Sequence, residues 1–145
     1  MADTPNEPGR YTCDVPGFEN NWIQFRPRGY TWKFRRQWQN EKHDERVLLM
    51  VLRNTTAWDL RNLDGSAIVL PTAETLDGWQ ARLDNRRQRP SETAAEWQTR
   101  LAAEQIDVDE PVVTLFDDAD EAVVIWLIRT FSRFVIWDAT ASPKG

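Results

Sequence analysis

The chain has 145 residues and a formal net charge of −5, with one cysteine, one histidine and eight tryptophans. Acidic charge repels phosphate backbones and argues against a nucleic-acid partner. A lone cysteine cannot form an internal disulfide, so Cys13 reads as a reduced thiol of a cytosolic protein. The length suits one domain with a real core, and the indoles are candidate core or interface anchors.

In chain order, Met1 to Gly9 reads as a disordered leader rich in Pro and polar residues. Arg10 to Val15 and Trp22 to Arg26 are β-branched and aromatic runs around a Pro16-Gly17 break, which predicts an N-terminal β-hairpin. Ile23 and Phe25 alternate with Trp22, Gln24 and Arg26, so at least one face must pack. Thr31 is positioned to cap a short helix reaching Trp38, with Trp32, Arg35, Arg36 and Gln39 on one face and Phe34 and Trp38 on the other. Arg26, Arg28, Lys33, Arg35 and Arg36 form a basic cluster, either a solvated face or a patch for an acidic partner. From Asp44, the apolar Val47, Leu48, Val51 and Leu52 predict a core helix that ends at Asn54-Thr55-Thr56, whose side chains compete for backbone hydrogen bonds.

Asp64-Gly65 is the strongest turn signal and predicts a short central hairpin flanked by Leu60, Leu63, Ile68 and Leu70, with an isolated turn as the alternative. Residues 77–105 read as a charged helical arm or insertion broken at Pro90, its second piece capped by Ser91; a flexible loop is the alternative up to Pro90. Val112 to Phe116 reads as an extended lead into a long helix from Asp118 to Trp137. There Val124, Leu127, Ile128, Phe131 and Val135 make a core stripe, Asp117 or Asp118 the cap, and Arg129 and Arg133 complement the macrodipole. At about 20 residues it spans roughly 30 Å. Arg129 and Arg133 break the apolar run short of the roughly 20 residues a bilayer requires, so no membrane span is expected. Residues 138–145 read as a disordered tail. The expected fold class is α+β: a mostly helical single domain over 10–137 with an N-terminal hairpin, a short central hairpin and a long C-terminal core helix.

No constellation of reactive residues points to catalysis. His43 sits among charged neighbours without an ordered partner, and Cys13 has no motif around it. Asp117, Asp118, Asp120 and Glu121 fit helix capping better than a cation loop, and the glycines do not form a phosphate loop. The expectation is a protein that is not an enzyme, with no catalytic residue, cofactor or metal. Trp126, Arg129, Arg133 and Trp137 share another side of the long helix, with spacings that let Arg129 lie over Trp126 and Arg133 over Trp137. With Trp32, Arg35 and Arg36 they are the candidate partner-binding residues; packing of the tryptophans under the hairpin or the arm is the competing reading.

Three passages resemble the tail assembly chaperones of long-tailed bacteriophages and prophages. They are Trp58-Asp59-Leu60 with Leu63-Asp64-Gly65, Ile68 and Leu70-Pro71; Arg28-Gly29-Tyr30-Thr31-Trp32-Lys33-Phe34-Arg35-Arg36; and Asp120-Glu121-Ala122-Val123-Val124-Ile125-Trp126-Leu127-Ile128. The charged arm departs from the compact pattern of that family. The resemblance implies a non-enzymatic factor of the host bacterial cytoplasm that binds the tape measure protein, keeps it soluble and helps recruit tail tube subunits. Two other classes stand beside it: a structural virion protein of the tail or connector, and a small acidic inhibitor or immunity-type binding protein.

Overall fold

In the computed structural model, which describes residues 9–138, the hairpin consists of β1 (Arg10–Thr12) and β2 (Trp22–Phe25), antiparallel with Tyr11 opposite Ile23. Ile23 and Phe25 are fully buried while Trp22 and Gln24 are half-buried, the alternation expected of a strand with one packed face. Gly9, read from sequence as leader, already belongs to this sheet, its carbonyl accepting from the Phe25 N–H at 2.8 Å. Residues 1–8 of the expected leader and 139–145 of the expected tail lie outside the described residues.

A third strand that sequence reasoning missed, β3 (Thr55–Asp59), completes an antiparallel sheet of order β1-β2-β3. The tripeptide at its start has two tasks. The Asn54 amide donates to the Met50 carbonyl and the Thr55 hydroxyl to the Val51 carbonyl, both at 2.8 Å, closing the preceding helix. Thr55 and Thr56, β-branched, then continue as strand, with Thr55 opposite Phe25. The Asp64-Gly65 turn forms with Gly65 at a φ of 87°, but pairing stops at one bridge, Arg61 to Ala67. The central hairpin is therefore a tight loop, held by the Asp64 carboxylate, which accepts from the Ser66 N–H and hydroxyl at 2.8 and 2.6 Å.

Among the described residues five α-helices run in the order α1 (Trp32–Asn40), α2 (Asp44–Arg53), α3 (Ala73–Asn85), α4 (Ala94–Ala103) and α5 (Glu121–Arg133). Thr31 caps α1 as expected, accepting from the Phe34 N–H at 3.0 Å. The cap of α5 is Asp120, not Asp117 or Asp118, and the α-helix gives way at Phe134–Asp138 to a π-helical turn. The expected rod from Asp118 to Trp137 is thus a shorter α-helix with a widened last turn, which turns both Phe134 and Val135 into the core.

The charged arm divides into two parts. α3 is no periphery: its Leu76 and Leu83 join the core, and Arg53–Asp77 (2.9 Å) and Arg46–Asp84 (2.8 Å) link it to α2. α4 is the outer piece, capped by Thr93 instead of Ser91 through a reciprocal box with Glu96. Arg100 fastens it: Nε donates to Glu92 at 2.6 Å, and the guanidinium also reaches the carbonyls of Asn85 (2.8 Å) and Arg87 (2.9 Å). Both side chains of the Arg100–Glu92 pair are largely buried, and its hydrogen bonds hold the Glu92 carboxyl down at about 2. Val112 to Phe116 forms no strand and ends in a turn; Glu45 pins it by accepting from the N–H groups of Val112 and Val113 at 2.7 and 2.6 Å.

α5 lies where sheet and helices meet. Phe131, fully buried, stands 4.9 Å from both the Phe25 and the Trp38 ring, in edge-to-face contact with each. Burying such a ring contributes about 1.5–3 kcal/mol before cavity effects.

Candidate functional site

α5 has two apolar faces, and they do not divide as the sequence suggested. Val123, Trp126, Leu127, Phe131, Phe134 and Val135 are buried; Val124 and Ile128, placed by sequence in the core stripe, are half-buried. The second face is Ile125, Ile128 and Ser132, continued by Ile136 of the π-helical turn at spacings of three, four and four, with Arg129 beside it. It looks onto a groove of about 590 Å3 whose other wall is Trp38, Gln39 and Glu41 at the end of α1 and Val47 of α2.

Local chemistry fixes this wall. Gly29, at a φ of 92°, turns the chain into α1, and a side chain there would meet the Arg26 guanidinium, which donates to the Arg28 carbonyl at 2.7 Å. Arg26 also bonds Asn54 Oδ1 at 2.7 Å and lies 4.4 Å over the Tyr30 ring. This residue of the basic cluster is therefore a structural tie between β2, α2 and α1. Tyr30 packs on Phe134 (5.6 Å) and Trp38 on Phe131, so α1 runs counter to the end of α5. The Trp38 indole N–H donates to the Ser132 hydroxyl at 3.1 Å, setting the floor between the two helices. Ile125, half exposed at 50 %, stands on the rim. Glu41 is turned toward its own chain, accepting from the His43 N–H at 3.1 Å, and Arg129 makes no ion pair among the described residues. The groove is thus apolar within and cationic at one edge.

The seven expected partner-binding residues separate. Trp126 is a core residue, 3 % exposed beneath β1, which corrects the expectation; a helix apolar on most sides buries its largest ring where the sheet covers it. Arg129 and Arg133 are exposed and, with Tyr11, Thr12 and Asp14, border a smaller depression above it. Trp137 and Trp32 are exposed at 68 and 66 %, at the end of the helix pair where α5 finishes and α1 begins. Arg35 stacks over Trp32 at 5.0 Å, and Arg36 is exposed. The stacked cations among the described residues are Arg35 on Trp32, Arg26 on Tyr30 and Arg10 on Trp22, not Arg129 or Arg133 on the tryptophans of α5. Sequence reasoning missed Ile125, Ile136, Trp38 and Val47 as groove residues, although the 125-128-132-136 spacing was a readable second stripe.

No protein-family model, curated protein or solved structure matches this chain. Its site is therefore read from its own geometry. Among the described residues no cluster of His, Cys, Asp or Glu could hold a metal ion, and no helix is long and apolar enough to cross a membrane. His43 is exposed, and Cys13 is buried with its thiol pKa pushed up by that burial.

Proposed function

We propose that the chain is a non-enzymatic tail assembly chaperone that holds an apolar helical segment of the tape measure protein in the groove between α1 and α5. The observation that carries this reading is the groove: Ile125, Ile128, Ile136, Trp38 and Val47 line a concavity with Arg129, which makes no ion pair among the described residues, at its edge. An amphipathic helix with apolar residues at i, i+3 and i+7 and a carboxylate facing Arg129 fits such a surface by the helix-in-groove mode. The resemblance supplies the partner's identity, and two of its passages bear on the groove: Arg28 to Arg36 leads into α1, and Asp120 to Ile128 carries Ile125 and Ile128. The acidic net charge would oppose aggregation of the loaded complex in the host cytoplasm while tail tube subunits are recruited.

Co-expression with fragments of a tape measure protein tests the reading. The chain should raise the soluble fraction of at least one fragment, and Ile125→Asp should abolish the effect while the variant folds normally. Equal solubilisation by Ile125→Asp, or none by the native chain across fragments covering the whole partner, sinks the proposal. Many copies in the finished particle would instead mark a structural tail subunit.

A further inference from the structure

Another concavity, of about 330 Å3, is lined by residues at the start of α2, the end of α3 and α4. Its lining combines the apolar Trp97, Val108 and buried Leu83 with the cationic Arg46, Arg86 and Arg87, and includes His43. Its charge is lopsided. Arg46 is matched by Asp84 at 2.8 Å, but Arg86 donates to the uncharged carbonyl of Val108 at 3.1 Å. Arg87 is exposed, makes no ion pair among the described residues and feels Asp84 only through space.

The backbone that carries these arginines is held from α4. The Trp97 indole N–H donates to the Arg86 carbonyl at 2.9 Å, and Arg100 takes the carbonyls of Asn85 and Arg87. A cationic concavity already ordered in this way binds without the cost of fixing its own loops. It also opposes the field of an otherwise acidic chain.

We infer that this concavity binds a small organic oxyanion, a phosphate or carboxylate on a flat apolar body, with Arg86 and Arg87 on the oxyanion and Trp97 and Val108 against the body. A planar guanidinium fork can donate to two oxygens of a carboxylate or phosphate at once, and the volume lies at the lower end of the usual range of about 300–1,000 Å3 for ligand pockets. Asp107 and Glu110 border the neighbouring depression with Arg86 and disfavour a polyanion.

The test is an NMR titration of the full 15N-labelled chain with phenyl phosphate, with inorganic phosphate and benzoate as separate arms. Phenyl phosphate should give saturable shifts at the Trp97 indole N–H and the amides of residues 86–88. Arg87→Gln should weaken it about tenfold, the worth of one charge-assisted contact, while Arg36→Gln leaves it unchanged. Benzoate against phenyl phosphate decides which oxyanion is preferred. Inorganic phosphate binding as tightly as phenyl phosphate overturns the role of the apolar wall. Absence of saturable shifts with all three to about 20 mM, where a site of about 1 mM Kd is filled, overturns the site itself, as do shifts that Arg87→Gln leaves intact.

Discussion

Adjacent residues on α5 should respond to substitution in opposite ways. Trp126 is 3 % exposed beneath β1, whereas Ile125 is 50 % exposed on the groove rim. Trp126→Ala removes the largest side-chain type from a packed site, which typically costs about 3–5 kcal/mol in lost burial and residual cavity. That is a large share of the roughly 5–15 kcal/mol that holds a domain of this size, and at about 3–5 °C per kcal/mol it lowers Tm by about 9–25 °C. Ile125→Asp removes a half-exposed side chain one turn into the helix, where the macrodipole tolerates an acid. Its cost should stay within about 0.5 kcal/mol, a Tm change of about 2 °C. Thermal melts followed by far-ultraviolet circular dichroism separate the two. A Trp126→Ala variant that melts within a few degrees of the native chain would refute the burial assignment, and an Ile125→Asp variant that unfolds would refute the groove face.

The Glu92–Arg100 pair makes a pH-dependent contribution with a defined sign. Glu92 is held near 2 in the folded chain against an ordinary value of 4.5, so its stabilisation is present above about 4.5 and is lost as the pH falls toward 2. The urea midpoint of the native chain should exceed that of Glu92→Gln at neutral pH, with the gap closing across that window; a gap constant down to pH 2 would show that the carboxylate charge plays no part. Tyr30 gives the opposite case. Burial pushes its phenol up to about 12, Arg26 offsetting part of the effect, and its hydroxyl has no hydrogen-bond partner among the described residues. Any stability carried by the neutral phenol is present below pH 10 and falls away between about 10 and 12. Tyr30→Phe should hold or raise stability by up to about 1 kcal/mol near neutrality and lose that alkaline decline; a fall of more than that would reveal a hydroxyl partner.

Local signals in the sequence determined much of the fold. Alternation at Ile23 and Phe25 specified a strand with a packed face, Thr31 specified the start of α1, and Asp64-Gly65 specified the turn, because each depends on chemistry within a few residues. Asn54-Thr55-Thr56 was legible as a helix stop but not as a strand start, since a ladder requires a partner supplied by β2, some thirty residues earlier. α3 looked peripheral because its charges are conspicuous, yet two leucines sufficed to seat it on α2 once Arg46 and Arg53 met Asp84 and Asp77.

The site divided along the same line. Periodicity identified α5 as the central helix but could not say which of its apolar faces the sheet would cover, because a helix with apolar residues nearly all round offers several equivalent stripes. Burial beside β1 took Trp126 inward and left Ile125, Ile128 and Ile136 to meet Trp38 across the groove. Composition and local spacing thus determined an acidic α+β chain with aromatic anchors and a long apolar helix. Which anchors are buried and which stay exposed was decided only in three dimensions, by the widened π-helical turn and by the sheet that claims one side of that helix.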